Sequence, residues 1–383
     1  MRVAVIGAGI VGACIARSLA MTGVEVVVLD RGQVGSGTTS RGEGNILVSD
    51  KAPGPELDLA LASRALWAEL ADDLGAAMLE FEPKGGLVVA TSARGLDVLS
   101  GFSRAQREVG VRVSAVSPEE AVDLEPWLAT DLPGGSFYDQ DAQVQPVMAA
   151  VAILADAVRR GATFRAGAEV AGVRTGGRGQ VVGITTASGD RVDVDAVVNA
   201  TGTWGGVVGE RLGAPIPVLP RRGFLLVTEP MPRRVEHKVY SADYVDNVAA
   251  STEGLETSCV VEGTQGGTIL IGASRERVGF DLTMNPGIVR ALAEQAVRIF
   301  PFLADVQLLR VYRGFRPYCP DHLPVIGPDP RVPGILHACG HEGAGIGLAT
   351  ATGALIASHL TGSGFVVDPG PYLPDRLIDG RTP

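Results

Sequence analysis

The chain has 383 residues, of which 46% are hydrophobic and 20% are charged, and its formal net charge is −10. This composition is typical of a folded chain of about two domains and excludes an intrinsically disordered protein. The acidic balance argues against nucleic acid or an anionic membrane as the main partner, because both attract clustered cations.

The four cysteines, Cys14, Cys259, Cys319 and Cys339, have no metal-ligand spacing and no paired pattern. The sequence therefore predicts no metal site and no disulfide framework, which fits a reducing cytoplasm. The start at Met1 shows no secretory signal, and no apolar run is long enough to span a bilayer. We expect a cytoplasmic protein without direct membrane insertion, with any membrane association made through a partner.

The first thirty residues predict a dinucleotide-binding βαβ unit. Arg2–Ile6 is a short β-branched strand, Ala13–Thr22 has helical periodicity, and Val24–Leu29 is a second strand. Between the first strand and the helix lies the run Gly7-Ala-Gly-Ile-Val-Gly12, and Asp30 ends the second strand. A turn of this kind places helix N–H groups against a pyrophosphate, and an acidic residue at this spacing binds ribose hydroxyls.

The cofactor is not decided by the glycine motif alone. Asp30 disfavours the 2′-phosphate of NADP, although Arg31 beside it slightly reopens that option. A second run of small hydroxylated residues, which includes Thr38, Thr39 and Ser40, follows soon after. FAD needs more hydrogen-bond donors than one turn offers, so this run favours FAD, whereas the alternative is a plain surface loop.

The remaining elements predict an α/β fold with a β-rich insertion. Helices are expected over Leu57–Leu74, Val147–Arg160 and Pro286–Ile299, and a strand-rich segment begins at Gly85. Further short segments with strand or helix patterns are Ala168–Val173, Val181–Ala187, Arg191–Val198, Ile335–Cys339 and Ala349–Leu360. We predict a Rossmann-like FAD-binding domain of residues 1–84, 145–220 and 317–383. An antiparallel β-rich substrate-binding domain is predicted over residues 85–144 and 221–316.

Several motifs resemble the D-amino acid oxidase superfamily of flavoproteins, which contains glycine oxidase, sarcosine oxidase and D-amino acid dehydrogenases. They are the Gly7–Gly12 turn with Asp30 and Thr38–Ser40, the strand end Val197–Trp204, the segment Gly314-Phe-Arg-Pro317, and the turn Gly340–Gly347. The resemblance implies FAD contacts at a set of residues in these motifs. They are Gly7, Gly9, Ile10, Val11, Gly12, Asp30, Arg31, Thr38, Thr39, Ser40, Asn45, Val170, Ala200, Thr201, Gly202, Trp204, Arg316, Gly343, Ala344, Gly345, Ile346 and Gly347.

Within the superfamily, three segments look closest to the FAD-carrying β-type subunits of opine, proline and hydroxyproline dehydrogenases and of hydrogen cyanide synthase. They are Asn45–Lys51, Lys84–Thr91 and Gly340–Gly343. Two departures are informative. Gly314 stands where some relatives carry a flavin-linking cysteine, which implies FAD held without a covalent bond. The strand Ser258–Glu262 lacks the Tyr and Pro usual in glycine-oxidase-type members, which makes glycine itself doubtful as the substrate.

The resemblance implies oxidation of a small amino or imino acid, such as a D-amino acid, a proline-like compound or an opine. The substrate would pass a hydride to flavin N5, and the resulting imine would hydrolyse. Arg316 is the predicted partner of the substrate carboxylate, because a guanidinium can hold a carboxylate by two parallel bonds. His341, Tyr240 and Tyr244 are further candidates for the pocket, and each has an ordinary structural role as its alternative.

Two other functions stay open at this level. One is a nicotinamide-linked dehydrogenase of similar architecture, and the other is a non-catalytic FAD-carrying subunit of a larger complex. Apart from the substrate, the expected partners are a second copy of the chain or an electron-accepting subunit. The sequence does not decide the substrate, its chirality or the electron acceptor.

Overall fold

The computed structural model describes residues 1–242 and 254–378, and it confirms the predicted mixed α/β fold. The strands in chain order are β1 (Arg2–Ile6), β2 (Glu25–Leu29), β3 (Asn45–Ile46), β4 (Gly86–Val89), β5 (Val113–Val116), β6 (Gly135–Tyr138), β7 (Ala142–Gln143), β8 (Thr163–Arg165), β9 (Val170–Thr175), β10 (Val181–Thr186), β11 (Arg191–Asp193), β12 (Ala196–Asn199), β13 (Leu219–Thr228), β14 (Lys238–Ser241), β15 (Glu256–Gly263), β16 (Ile269–Arg275), β17 (Leu308–Tyr318), β18 (Val325–Pro328) and β19 (Ile335–Cys339).

The helices of the described residues vary from one turn to five. In chain order they are α1 (Ile10–Met21), α2 (Pro55–Leu74), α3 (Ala76–Leu79), α4 (Ala93–Glu108), α5 (Pro118–Leu124), α6 (Pro146–Arg159), α7 (Gly205–Arg211), α8 (Pro286–Ile299) and α9 (Ala349–Thr361). In the part of the chain that is described, none of them has the length and apolar character needed to cross a membrane.

One large sheet carries the nucleotide-binding unit. Its order is β18-β19-β12-β1-β2-β8, and β1 pairs in parallel with both β2 and β12. Such a central strand is covered on both faces, which explains its continuous run of apolar residues. On one face α1 packs against α6 and α9. The approach of α9 is close, because a Cβ at Gly353 would lie 2.8 Å from the carbonyl oxygen of Cys14.

The second large sheet has the order β17-β13-β16-β15-β14-β4-β6-β5 and is antiparallel except between β14 and β4. Helix α8 packs on one face of it, with the side chains of Ile288, Leu292, Ala296 and Ile299 buried. This spacing forms a single apolar stripe on the helix. Asn285 begins the helix by accepting the Gly287 N–H at 3.0 Å. Strands β13 and β17 of this sheet form a wall of the cleft described below.

Most predicted elements appear with small shifts at their ends. Helix α1 begins at Ile10 rather than Ala13, because Gly9 already takes the extended N-cap conformation. The predicted strand Arg191–Val198 is two strands, β11 and β12, which belong to different sheets. The segment around α4 and α5 was not predicted as helical.

The division into two domains stays a prediction. All strands of the six-stranded sheet come from the segments assigned to the FAD-binding domain. Strands of the eight-stranded sheet come mainly from residues 85–144 and 221–316, with β13 and β17 crossing the predicted boundaries by two residues each. The two sheets therefore take their strands from nearly the same alternating segments of the chain as predicted.

Candidate active site

The turn between β1 and α1 is packed too closely for any residue but glycine at its key positions. Gly7 has a φ of +111°, and a Cβ there would lie 2.4 Å from the carbonyl oxygen of Ala200. A Cβ at Gly12 would lie 1.9 Å from the Gly7 carbonyl oxygen. The side chain of Thr39 approaches the same turn and accepts the Ile10 N–H at 3.1 Å. These contacts hold the N-terminus of α1 open toward the cleft.

Asp30 fixes the shape of this turn from the end of β2. One carboxylate oxygen accepts the Ala8 N–H at 2.7 Å, and the other accepts the Gly32 N–H at 2.7 Å. Asp30 also lines the cleft, where its remaining acceptor capacity is available to ribose hydroxyls. Next to it, the Arg31 guanidinium lies 4.4 Å from the centre of the Trp204 ring.

A single elongated cleft of about 320 Å³ connects this turn with the wall of the second sheet. Glu169, Val170 and Arg211 lie at its end near Asp30. Its middle is lined by Thr38 and by the end of β12. The Thr38 hydroxyl donates to the carbonyl oxygen of Phe315 at 3.0 Å and so joins the loop after β2 to strand β17.

Most residues predicted for the site lie along this cleft. They are Gly7, Gly9, Ile10, Val11, Asp30, Arg31, Thr38, Thr39, Asn45, Val170, Ala200, Thr201, Gly202, Trp204, Arg316, His341, Gly343, Gly345 and Ile346. Gly12 lies behind the turn, and Ser40, Ala344 and Gly347 also lie off the lining of this cleft. Whether any of these residues contacts FAD stays a prediction.

The structure places Tyr240, one of the two predicted tyrosines, outside the cleft. Tyr240 is fully buried in the core, and its hydroxyl donates to the Ser49 hydroxyl at 2.6 Å. Burial raises the pKa of Tyr240 well above its usual value, so this phenol stays protonated. The placement corrects the prediction that Tyr240 lines the pocket. Tyr244 lies outside the described residues.

Arg316 lies at the end of the cleft far from Asp30. Strand β17 supplies it, and its Nη1 donates to the carbonyl oxygen of Ser274 at 2.8 Å. Gly223, which faces it on β13, leaves the space that the guanidinium occupies, because a Cβ there would lie 2.0 Å from Nη1. Gly343 of the turn after β19 lies beside the Arg316 side chain. The Arg316 guanidinium therefore lies between strand β13 and the turn that contains Gly343, which is predicted to contact the flavin.

The turn after β19 is held in place by a network of charges. The Glu342 N–H donates to the carbonyl oxygen of Pro317 at 2.9 Å, and the Glu342 carboxylate pairs with Arg221 at 2.5 Å and with His322 at 3.0 Å. Burial opposes ionisation of Glu342, yet the His322 and Arg221 contacts lower its pKa below the usual range. The hydrogen bond to Glu342 in turn raises the pKa of His322. Arg221 also pairs with Glu256 at 3.0 Å.

His341 lines the cleft but is almost completely buried. Its Nε2 lies 3.0 Å from the Thr352 hydroxyl, which itself donates to the Leu348 carbonyl oxygen at 2.8 Å. Burial lowers the pKa of His341 to about 4, so the ring is neutral at physiological pH. The contact with Thr352 links the turn to helix α9. Because the ring is neutral, His341 is not available as an imidazolium proton donor.

Some residues of the cleft were not predicted from the sequence. Glu43, Gly223 and Leu225 belong to its far end, and the Glu169–Arg211 ion pair of 2.7 Å belongs to the opposite end. Gly314 packs on Arg41, because a Cβ there would lie 2.5 Å from the Arg41 Cβ. The position at which relatives link the flavin therefore has no room for a cysteine side chain. Only tertiary contacts identify these residues.

The residues present fit a bound dinucleotide. Added Cβ atoms at Gly7 and Gly12 would collide with backbone, and one at Gly9 would crowd Thr39 at 3.1 Å, so a backbone cradle is preserved at the N-terminus of α1. The cleft continues from this cradle to Arg316, which gives an extended cofactor one continuous path. Such a site can bind FAD along the first sheet and present its far end to the second.

Comparison with known proteins agrees with this geometry. Residues 2–359 match the DAO family, described as FAD dependent oxidoreductase. Glycine oxidase of Geobacillus kaustophilus is 29% identical over 98% of this chain and 97% of that protein. Hydrogen cyanide synthase subunit HcnC of Pseudomonas aeruginosa is 30% identical over 84% of this chain and 74% of its own. The crystal structure of L-proline dehydrogenase from P. horikoshii superimposes with a TM-score of 0.90 at 26% identity, covering 99% of this chain and 98% of that one.

Proposed function

Because the chain belongs to the DAO family of FAD-dependent oxidoreductases, we propose that it oxidises the carbon–nitrogen bond of a small amino or imino acid, with the FAD held without a covalent bond. The family establishes FAD as the cofactor and sets aside a nicotinamide-linked dehydrogenase. The family does not give the class of substrate, and we propose a small amino or imino acid.

The position of Arg316 carries this proposal. Its guanidinium lies in the cleft at the end opposite the nucleotide cradle, beside the turn that contains Gly343. The bond to the Ser274 carbonyl oxygen holds the planar group in one orientation. A guanidinium fixed in this way can bind a substrate carboxylate by two charge-assisted bonds and so orient the neighbouring carbon atom.

The rest of the chain's contribution is positional. Bound FAD would supply the acceptor for the two electrons and the hydrogen that leave the substrate. The Gly343 and Gly345 backbone can lie against a flat ring, and the Glu342 network keeps that backbone in place. The sheet wall of β13 and β17 lines the other side and limits the contact of the reacting end with water.

The compared proteins support this substrate class by their names. Glycine is the substrate named for one, and L-proline is the substrate named for another. A further relative is named as a subunit of hydrogen cyanide synthase, which supports testing electron transfer to a partner as well as to oxygen. The loss of Tyr and Pro in Ser258–Glu262 makes a substrate other than glycine the preferred expectation.

The test is anaerobic reduction of the purified yellow protein by a panel of D-, L-, N-methyl and cyclic amino acids. We expect at least one to bleach the flavin absorption, and a peroxide assay in air then separates an oxidase from a dehydrogenase. Retention of FAD after denaturant is added would contradict the non-covalent assignment. Yellow protein that no amino or imino acid reduces would overturn the proposal and favour a non-catalytic subunit.

Arg316→Met supplies the residue-level test, and Arg310→Met is its matched control on the same strand outside the cleft. We expect Arg316→Met to retain FAD but to need at least about thirtyfold more substrate for half-maximal bleaching, because truncating a charged partner costs about 2 kcal/mol or more. Arg310→Met is expected to behave as the wild type. Equal substrate dependence in the two variants would reject the role of Arg316.

A further inference from the structure

A buried cluster of polar side chains lies on the cleft wall around Glu43, between the Thr38–Ser40 and Asn45–Lys51 segments of the sequence. Glu43 and Asn45 line the cleft, and the Asn45 amide donates to Glu43 Oε2 at 3.0 Å. Behind them, Lys238 Nζ lies 2.5 Å from Glu262 Oε2 and 3.7 Å from Glu43 Oε2. Burial, and with it the nearby charge of Glu43, raises the pKa of the Cys259 thiol. Among Glu43, Glu262 and Lys238, one ammonium faces two carboxylates.

Two acceptor atoms of this cluster are buried and have no hydrogen-bond partner within the described residues. They are Oε1 of Glu43, a residue that is only 8% exposed, and Oδ1 of Asn45. A buried acceptor without a donor costs free energy, and the cost is larger for a carboxylate. Both residues line the cleft, so a rotation of either side chain would turn its unpartnered oxygen toward a donor bound there. The excess of negative charge favours a donor that carries a positive charge.

The sheet wall places Glu43 and Arg316 as neighbours of opposite charge. A Cβ at Gly223 on β13 would meet Arg316 Nη1, and a Cβ at Gly272 on β16 would lie 2.3 Å from Glu43 Oε1. The β13–β16 register puts Leu225 opposite Gly272, since the next pair is Leu226 with Ile271. Gly223 and Gly272 are therefore diagonal neighbours on adjacent strands, which sets the separation of the two charges at about 7–8 Å.

This separation suits the two charged ends of an α-amino acid. Hydrogen bonds of about 2.8 Å at each end leave room between the partners for the few atoms that join a carboxylate to its amine. A carboxylate held at Arg316 thus brings the amine to Glu43. The reverse orientation would set like charges against each other at both ends.

We propose that Glu43, together with Asn45, forms the subsite that binds the amino group of the substrate. This inference rests on the proposed function and adds a second fixed point to Arg316. Two fixed points orient the carbon that is oxidised, and they discriminate against acids that lack an amine. Glu43 is also placed to accept a proton from the bound ammonium: the N–H bond breaks, a carboxyl O–H bond forms, and the neutral amine keeps the electron pair that oxidation requires.

The experiment compares Glu43→Gln with the wild type as FAD-loaded proteins. Glu276→Gln is the matched control, because Glu276 is also 8% exposed but pairs with Arg222 outside the cleft. Anaerobic bleaching is measured with glycine, L-proline and D-alanine. Binding of acetate, cyclopentanecarboxylate and propionate, which lack the amine, is measured from the change each causes in the flavin spectrum.

We expect Glu43→Gln to weaken binding of the bleaching amino acid by about tenfold or more, because a bond to a charged group contributes about 1.5–3 kcal/mol. Binding of the matching amine-free acid and the spectrum of the unliganded flavin should stay as in the wild type. Asn45→Ala should weaken the amino acid in the same direction by a smaller factor. It serves as the second variant if Glu43→Gln does not accumulate as folded protein.

The outcomes separate this inference from the proposed function. If the wild type is bleached and Glu43→Gln binds the amino acid equally well, the subsite is rejected and the proposed function stands. If Glu43→Gln changes the unliganded flavin spectrum and weakens the amine-free acid equally, Glu43 serves the cofactor and the subsite is again rejected. If no amino acid bleaches the wild type, the proposed function fails first.

Discussion

The two ends of the cleft use different parts of the polypeptide to make a site. At the end near Asp30, the backbone does the work: glycines admit close contacts, and both Asp30 oxygens already accept N–H groups. At the far end, side chains from separate strands meet, and Glu43 Oε1 is left buried without a partner in the described structure. The first end offers backbone N–H groups in a fixed turn, whereas the second presents charges that a ligand would neutralise. A backbone site suits a cofactor shared by many relatives, and a side-chain site suits a particular substrate.

The largest effect on FAD binding and stability is expected at Gly12, where the β1–α1 turn is packed most tightly. Gly12→Ala would set its Cβ 1.9 Å from the Gly7 carbonyl oxygen, so the β1–α1 turn would have to move. We predict protein that loses FAD on purification and unfolds at lower temperature. Gly101→Ala in helix α4 is the control, because nothing lies within 4 Å of that Cβ. It should keep FAD and gain about 0.5–1 kcal/mol in unfolding free energy. A yellow Gly12→Ala protein of wild-type stability would contradict this account of the turn.

A smaller effect is expected at the junction of the two ends. Gly314→Ala would press its Cβ against the Arg41 Cβ, and relief requires a shift of the loop that also supplies Thr38 and Thr39. We predict a loss of about 1–3 kcal/mol in unfolding free energy, as overpacking commonly produces, together with weaker FAD binding. Chemical denaturation and FAD titration measure the two effects. Gly172→Ala on β9, where the nearest atom lies 3.7 Å away, should change neither.

The contrast also explains what the sequence could predict. The Gly7–Gly12 turn and Asp30 are contiguous in their motif, and their roles follow from local backbone geometry. The Gly314–Pro317 motif predicts a role for Arg316 in substrate binding, and that role stays a prediction. The sequence does not single out Glu43, because its proposed role depends on Gly272 and Lys238, which lie more than 190 residues away along the chain. Tyr240 was misplaced because strand β14 turns that side chain into the core, and the alternation of a strand alone does not say which face meets a cleft.

The buried His341 makes the free energy of unfolding depend on pH. Its pKa of about 4 lies below the usual 6.5, so between these values the unfolded chain binds a proton that the folded protein excludes. Stability from this group is therefore lost as pH falls from about 6.5 to 4, with a loss of about 2 kcal/mol at pH 5.

His341→Gln keeps a donor for the Thr352 hydroxyl and removes the titration. Denaturation of the FAD-saturated proteins at pH 7.5 and pH 5 should show a smaller loss in the variant by about this amount. Parallel pH profiles for the two proteins would mean that His341 is protonated in the folded state.

The smallest effect is expected for the ion pair at the end of the cleft near Asp30. Arg211 and Glu169 are 2.7 Å apart, but their side chains are 41% and 40% exposed, so water and salt screen the attraction. The Arg211 hydrogen bond lowers the pKa of Glu169 below its usual value, so the pair stays charged at neutral pH and in mild acid. Exposed pairs contribute up to about 1 kcal/mol, and we therefore predict that Arg211→Met weakens FAD binding by fivefold or less, with the difference shrinking at high salt.

Arg174→Met removes a similar exposed pair with Asp193 outside the cleft and should leave FAD binding unchanged. A hundredfold loss in Arg211→Met that persists at high salt would instead mean that Arg211 contacts FAD directly. The end near Asp30 would then depend on side chains as strongly as the end that holds Arg316.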